Sequence, residues 1–249
     1  MSKKIWNTKG AESSYEIASF LAGEDIELDK SIFIYDIDAT IAHIKGLSSI
    51  GIIKKNELAK LIKSLKELRL KFLSGKFKLT EKYEDCHSAI EFYLTKELGE
   101  LGKKVHTGRS RNDQVLVAMR LFAKKNLIDF KKSNKSIAKV LLKMANKYEK
   151  TLMPGYTHLQ RAMPSSWGLW FASYAESFID NIDLINSTIE WIDSNPLGSA
   201  AGYGVALPLD RKLTTKELGF KRTQLNSLYI QNSRGKYEMQ IINTLKQSM

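Results

Sequence analysis

The sequence predicts an all-α protein: a small domain of short helices over 1–112, then the first part of a long-helix bundle over 113–249. Three observations predict it. Apolar residues recur every three to four positions through most of the chain, and no segment shows the two-residue alternation of a strand. Two stretches carry that period two to three times beyond ordinary helix length. The breaks between them are loops rich in Gly, Pro and small residues.

The elements follow in order. MSKKIWNTKGAESS at the N-terminus is basic but has no apolar run behind it, so neither a secretory signal nor a membrane anchor is expected. Ile34, Ile37, Ile41 and Ile44 share one helical face, with His43 on the same helix as a structural residue. Asn56 is expected to cap a helix whose Leu58, Leu61, Ile62, Leu65, Leu68 and Phe72 share a face, with Gly75 past its end. A third helix is expected from Ser88 to Leu98, stopped by Gly99. From Asp113 to Tyr148 nothing breaks a helix, which at 1.5 Å per residue makes a rod of roughly 50 Å. A second rod is expected to start at Pro164 and run to Asp193, with Pro196 just beyond. Along it Phe171, Phe178, Ile185 and Ile192 repeat every seven residues, while Glu176, Asp180, Asp183 and Glu190 mark the far face. Those charges exclude a membrane span, and long amphipathic helices of this kind belong in bundles, often shared between subunits.

Composition narrows the function classes. A hydrophobic fraction of 43% is that of a soluble globular chain. Cys86 is the one cysteine, so no internal disulfide can form, and a reducing, cytoplasmic setting is expected. The net charge of +12 raises the question of nucleic acid. Lys131, Lys135, Lys139, Lys143 and Lys147 do line one helical face, but no aromatic residues are interleaved for base stacking. The stripe reads as a solvated face, and a nucleic-acid partner is not expected.

The chemistry concentrates at two helix starts. HTGRSRNDQ (106–114) sets two arginines, a histidine and small polar residues directly before the first rod. A helix N-terminus has unpaired N–H groups and partial positive charge, and Arg can grip a carboxylate through two parallel bonds. Ser110, Arg111 and Asn112 therefore have the makings of a carboxylate site; a capped turn whose arginines face water satisfies the same spacing. YTHLQRAMP repeats the pattern, with Thr157, His158, Gln160 and Arg161 ahead of the second rod. Among the four histidines, His158 and then His106 are the better candidates for proton exchange, while His87 in YEDCHSAIE fits a structural or a substrate-orienting role. No HExxH, paired CxxC or GxSxG pattern occurs, so neither a metal site nor a serine hydrolase is expected.

HTGRSRNDQV, MPGYTHLQRAMP and NPLGSAAGYGVALPLDR, with YDIDATIAH and EDCHSAIE before them, together resemble the argininosuccinate lyases of the fumarase/aspartase superfamily. The similarity spans nearly the whole chain. It implies a fumarase/aspartase-like, all-helical homotetramer that cleaves argininosuccinate to arginine and fumarate without metal or organic cofactor, at sites shared between subunits. It further implies that Ser110, Arg111 and Asn112 hold the fumarate-end carboxylates and that Thr157 and Gln160 meet substrate. His158 would be an acid/base group and His87 a secondary substrate contact. Adenylosuccinate lyase and fumarase share the fold, but SRNDQ favours argininosuccinate; a non-enzymatic helical scaffold is the alternative from another class. Two departures stand out. IWNTKGAESS and FLAGEDIELD replace the family's usual opening segment and its substrate-contacting serine, so no serine is carried over. The family's GSSxMPxKxNP-type loop with its catalytic serine does not occur, so the sequence is expected to be a truncated lyase, inactive alone, with exposed apolar bundle faces.

Overall fold

The computed structural model describes residues 23–248, so expectations for the N-terminal stretch before Gly23 lie outside the described residues. Helices dominate: α1 (Asp25–Asp29), α2 (Phe33–Ser49), α3 (Lys55–Leu73), α4 (Cys86–Leu98) and α5 (Glu100–Lys103), which runs into a 3-10 turn (Lys104–His106). The long helices are α6 (Arg111–Lys147) and α7 (Trp167–Ile192). Three short helices follow, α8 (Arg211–Glu217), α9 (Ser227–Asn232) and α10 (Lys236–Gln247). Strands are few: a hairpin of β1 (Leu152–Thr157) and β2 (Gln160–Ser166), and a two-residue parallel pair of β3 (Ser194–Asn195) with β4 (Arg222–Thr223). The fold is all-α, as the periodicity requires. No helix among the described residues is long and apolar enough to cross a membrane.

The chain forms two compact units. The first holds the described residues up to Phe122 together with Asp193–Arg234, and the second holds Ala123–Ile192 together with the described residues from Gly235. The change from short to long helices at Asn112 precedes the division at Phe122, which falls inside α6.

In the first unit, Phe33, Ile37, Ile44 and Leu47 of α2 pack with Leu61, Leu65 and Leu68 of α3 and with Ile90 and Leu94 of α4. Burying each such side chain contributes roughly 1.5–3 kcal/mol. Two helix starts differ from expectation. α3 begins ahead of Asn56 because the Glu57 carboxylate accepts the Lys54 N–H at 2.8 Å, which satisfies an orphan donor two residues before the expected cap. α4 begins at Cys86 rather than Ser88 because the Asp85 carboxylate caps it, accepting from the Ser88 N–H at 2.6 Å.

The second unit is built on Leu127, Ile185, Ile192 and Tyr237, with Phe130, Ile189 and Ile241 against them. The far half of α6 turns Lys135, Lys139, Lys143 and Lys147 outward. The expected helix start at Pro164 is wrong: residues 160–166 are β2, and α7 starts at Trp167. Pro154 and Pro164 are partners in this ladder, which tolerates them because both strands of a two-stranded sheet are edges. Neither strand has a fully buried face, so no apolar alternation marks them. Where α7 begins, a Cβ added at Gly168 would lie 2.6 Å from Glu149 Cα, closer than any side-chain motion can relieve. Gly168→Ala is therefore expected to cost about 2 kcal/mol as an overpacking substitution, read as a lower urea midpoint.

Candidate active site

The first rod carries its own cap. Ser110 Oγ accepts from the Asn112 N–H at 3.2 Å, and Asp113 Oδ1 accepts from the Ser110 N–H at 2.9 Å. The other oxygen of Asp113 accepts from the N–H groups of Gly198 at 2.8 Å and Ala200 at 3.1 Å. One buried carboxylate thus ties the loop NPLGSAAGYG to the head of α6. Burial raises the pKa of that carboxyl, and the three N–H donors and Arg109 only partly offset it.

Arg111, the first residue of α6, is collared by the protein. Its Nε lies 3.1 Å from Asp85 Oδ2, and its Nη1 donates to Glu91 Oε1 and Gln114 Oε1, both at 2.9 Å. Among the described residues its Nη2 reaches only Ser88 Oγ, at 3.3 Å. Glu91 Oε1 also lies 3.0 Å from His106 Nδ1. Burial would raise the Glu91 pKa, but His106 and Arg111 together hold it down at about 2. The Nη2 edge is the part of Arg111 least committed to the protein, and the side chain is 27% exposed.

Behind this wall lies a second, deeper polar group. His87 Nδ1 lies 2.7 Å from Asp36 Oδ2, and both side chains are buried. Gln114 Nε2 donates to both oxygens of Asp36, at 3.1 and 3.0 Å. Burial alone would raise the Asp36 pKa, yet His87, Arg109 and Gln114 outweigh it and hold the carboxyl below its usual value. Burial opposes the charged form of His87 as well, but Asp36 raises its pKa above the ordinary imidazole value. The two shifts agree on an imidazolium–carboxylate pair. Arg109 donates Nη1 to Thr40 Oγ1 at 3.0 Å, while its Nε and Nη2 are buried without a hydrogen-bond partner among the described residues. His43 is structural, as expected: one ring nitrogen sits 2.9 Å from the Thr107 carbonyl, and burial followed by the Arg109 charge pushes its pKa down to about 3.

Asp29, Cys86 and His87 bring a carboxylate oxygen, Sγ and a ring nitrogen within 4.8 Å of one another. These donors do not fit a cation. His87 Nδ1 is taken by Asp36, and Asp29 Oδ2 accepts the Cys86 N–H at 2.8 Å. Burial and then the surrounding carboxylates push the Cys86 thiol far up, so the thiolate a metal needs is disfavoured.

The residues of the second loop belong to the second unit. Thr157 and Gln160 pair at the end of the hairpin, and His158 and Leu159 form its two-residue turn. Both turn residues have positive φ, 50° and 62°, the pattern of a type I′ turn that Asn-Gly usually fills. Non-glycine residues in this region cost roughly 1–2 kcal/mol each. Thr157, His158 and Gln160 are all exposed.

Ser110, Arg111, Asn112 and His87 therefore belong to one unit, and His87 and Arg111 share the surroundings of Asp85. Sequence reasoning missed Asp36, Asp85, Glu91, Arg109, Asp113 and Gln114. One signal was present: Asp36 and His43 lie seven residues apart on the helix carrying the isoleucine face, an acid and a base where core residues belong.

Comparison with known proteins agrees with this architecture. A family model described as "Lyase" matches residues 16–238. The argininosuccinate lyase of Xanthomonas oryzae pv. oryzae is 51% identical over 245 residues, covering 98% of this chain and 57% of that protein. That of Stenotrophomonas maltophilia is 48% identical over 245 residues, with the same coverage of 98% and 57%. Among solved structures, an EDDS lyase variant with bound fumarate superposes with a TM-score of 0.77 at 25% identity, over 94% of this chain and 46% of that one. The chain thus spans 57% of the length of these curated relatives. Since the family match runs through both compact units and includes every residue of the buried polar wall and of the hairpin, the chain belongs to the lyase family.

Proposed function

We propose that this chain supplies part of an argininosuccinate lyase, a cytoplasmic enzyme that splits argininosuccinate into arginine and fumarate. The observation that carries the reading is the Arg111 edge at the head of α6, beside His87, in a chain about half identical to argininosuccinate lyases. Elimination breaks a C–H bond next to a carboxylate and the neighbouring C–N bond, and a C=C bond forms. Negative charge builds on that carboxylate as the proton leaves, so fixed cations and donors lower the barrier. Arg111 Nη2, with Ser110, Asn112 and a charged His87, takes the succinyl carboxylates. The leaving guanidino nitrogen needs a proton, and His158, with Thr157 and Gln160 as substrate contacts, supplies the acid/base step.

The enzyme is proposed to work as a homotetramer, with the hairpin of one copy completing the site of another. Exposed Leu169, Trp170 and Ile179 on α7 and Val140 on α6 offer apolar surface for that assembly. The reaction is proposed to need no metal and no organic cofactor, since side chains provide the cations. Fumarate release and equilibrium binding by the purified 249-residue chain test the reading. Argininosuccinate is expected to bind in preference to adenylosuccinate, and Arg111→Met is expected to weaken that binding roughly tenfold or more. Release by the chain alone is expected to be far below that of a full-length lyase. Preference for adenylosuccinate, or binding indifferent to Arg111→Met, would overturn the assignment.

A further inference from the structure

We propose that Asp36 is a positioning residue for His87, locking its imidazole through Nδ1 so that the ring serves as a fixed cationic contact for the dicarboxylate. This rests on the reading of His87 as a substrate contact. The geometry is specific. Asp36 lies on α2 and His87 on α4, and their side chains meet at 2.7 Å with 0% and 2% exposure. With Asp36 as acceptor, Nδ1 must carry a proton, leaving Nε2 as the other donor of the charged ring. Gln114 reaches Asp36 from α6, the helix that also carries Arg111. The buried pair and the Arg111 edge are thus braced on the same helical turn.

A buried ion pair is poor evidence of stabilisation, since burial costs both charges their hydration. A use for it is to hold a proton at a chosen atom. Gln114 offers Asp36 only N–H groups, and Arg109 adds positive charge without pairing directly. Both oppose proton transfer from His87 to Asp36. The charged or titratable groups around the histidine are Asp29 of α1, Asp36 of α2, Asp85 and Cys86 at the head of α4, and Arg111 of α6. Of these, Asp36 alone contacts the ring through an oxygen at hydrogen-bonding distance among the described residues.

The test is ¹⁵N-histidine NMR on the whole chain, with the four imidazoles assigned by single His→Gln variants. In the unaltered chain His87 is expected to hold its second proton to higher pH than an ordinary imidazole does. Asp36→Asn is expected to lower that titration and to weaken fumarate binding roughly tenfold. Asp36→Glu is expected to restore much of both. Gln114→Met, which keeps the ion pair but removes a brace, is expected to shift the titration the same way by less, and it decides the question should Asp36→Asn not fold. An unchanged His87 titration in the folded variants overturns the proposal whatever the chain binds. A lowered titration with unchanged fumarate affinity overturns the positioning role. If the unaltered chain binds neither fumarate nor argininosuccinate, the functional reading fails, and the titration alone decides whether Asp36 sets the charge of His87.

Discussion

As the pH falls below 6.5, the protein is expected to lose stability at about 1.4 kcal/mol per pH unit through His43 alone. The unfolded imidazole takes its proton near 6.5, whereas burial and the Arg109 charge delay protonation in the fold to about 3. A depressed histidine pKa means that the unfolded chain binds the extra proton. The fold is unpenalised above 6.5 and loses stability as pH falls toward 3. His87 has the opposite sign. Its raised pKa contributes stability that is fully present below the unfolded value and is lost as pH rises through the folded one, so it adds no slope on the acid side. Glu91 enters lower still, since its contribution is lost only as pH falls from the usual carboxylate range toward about 2. Just below 6.5 the buried Asp113 carboxyl, whose pKa is raised, works against this loss as it takes its proton, and the destabilising slope therefore belongs to His43. Over two pH units it amounts to about 3 kcal/mol, a large share of a typical domain's margin. Urea midpoints across this interval measure it. His43→Gln, whose amide can still donate to the Thr107 carbonyl, is expected to flatten the dependence; the same slope in that variant would assign the proton elsewhere.

His43 also shows what a sequence can and cannot disclose. Its helix was legible because Ile37 and Ile44 turn the same way with a helical period, and both are fully buried. The face of α3 was legible for the same reason, with Leu61, Leu65 and Leu68 inward, and that of α6 in part, with Leu116 inward but Ile137 exposed. The hairpin was not. Its strands bury no side, and its turn holds His-Leu where a turn signal would be Asn-Gly. For the site, the motif drew attention to Ser110, Arg111 and Asn112 at a helix start, which is where they lie. The partners that set their electrostatics were hidden by distance along the chain. Asp36, His87 and Gln114 come from three helices, and no local period encodes that they meet. The different surroundings of the two arginines of GRSR were not legible either. Arg109 is 6% exposed and bonds Thr40, whereas Arg111 reaches the surface.

Asp113→Ala is expected to be the most damaging single substitution near the motif, costing on the order of 3–5 kcal/mol. The carboxylate is fully buried and accepts three backbone N–H groups, from Ser110, Gly198 and Ala200. Alanine leaves all three donors without their acceptor, at about 1–3 kcal/mol each, less whatever water can reach them. Local backbone strain adds to the cost. Ala200 has φ of 54°, a conformation that non-glycine residues leave readily unless something holds them, and its own N–H is one of the three bonds. Hydrogen exchange at Gly198 and Ala200 should therefore accelerate beyond what global destabilisation explains, while the amides of α3 report only the global change. Asp113→Asn separates charge from hydrogen bonding. Its carbonyl can serve one side of the clamp, but its NH₂ must face donors on the other, so a smaller loss than that of alanine is expected. A loss below about 1 kcal/mol for Asp113→Ala would mean that the loop is held instead by Arg211, which donates Nε to the Leu197 carbonyl at 3.1 Å and whose side chain packs on Gly198.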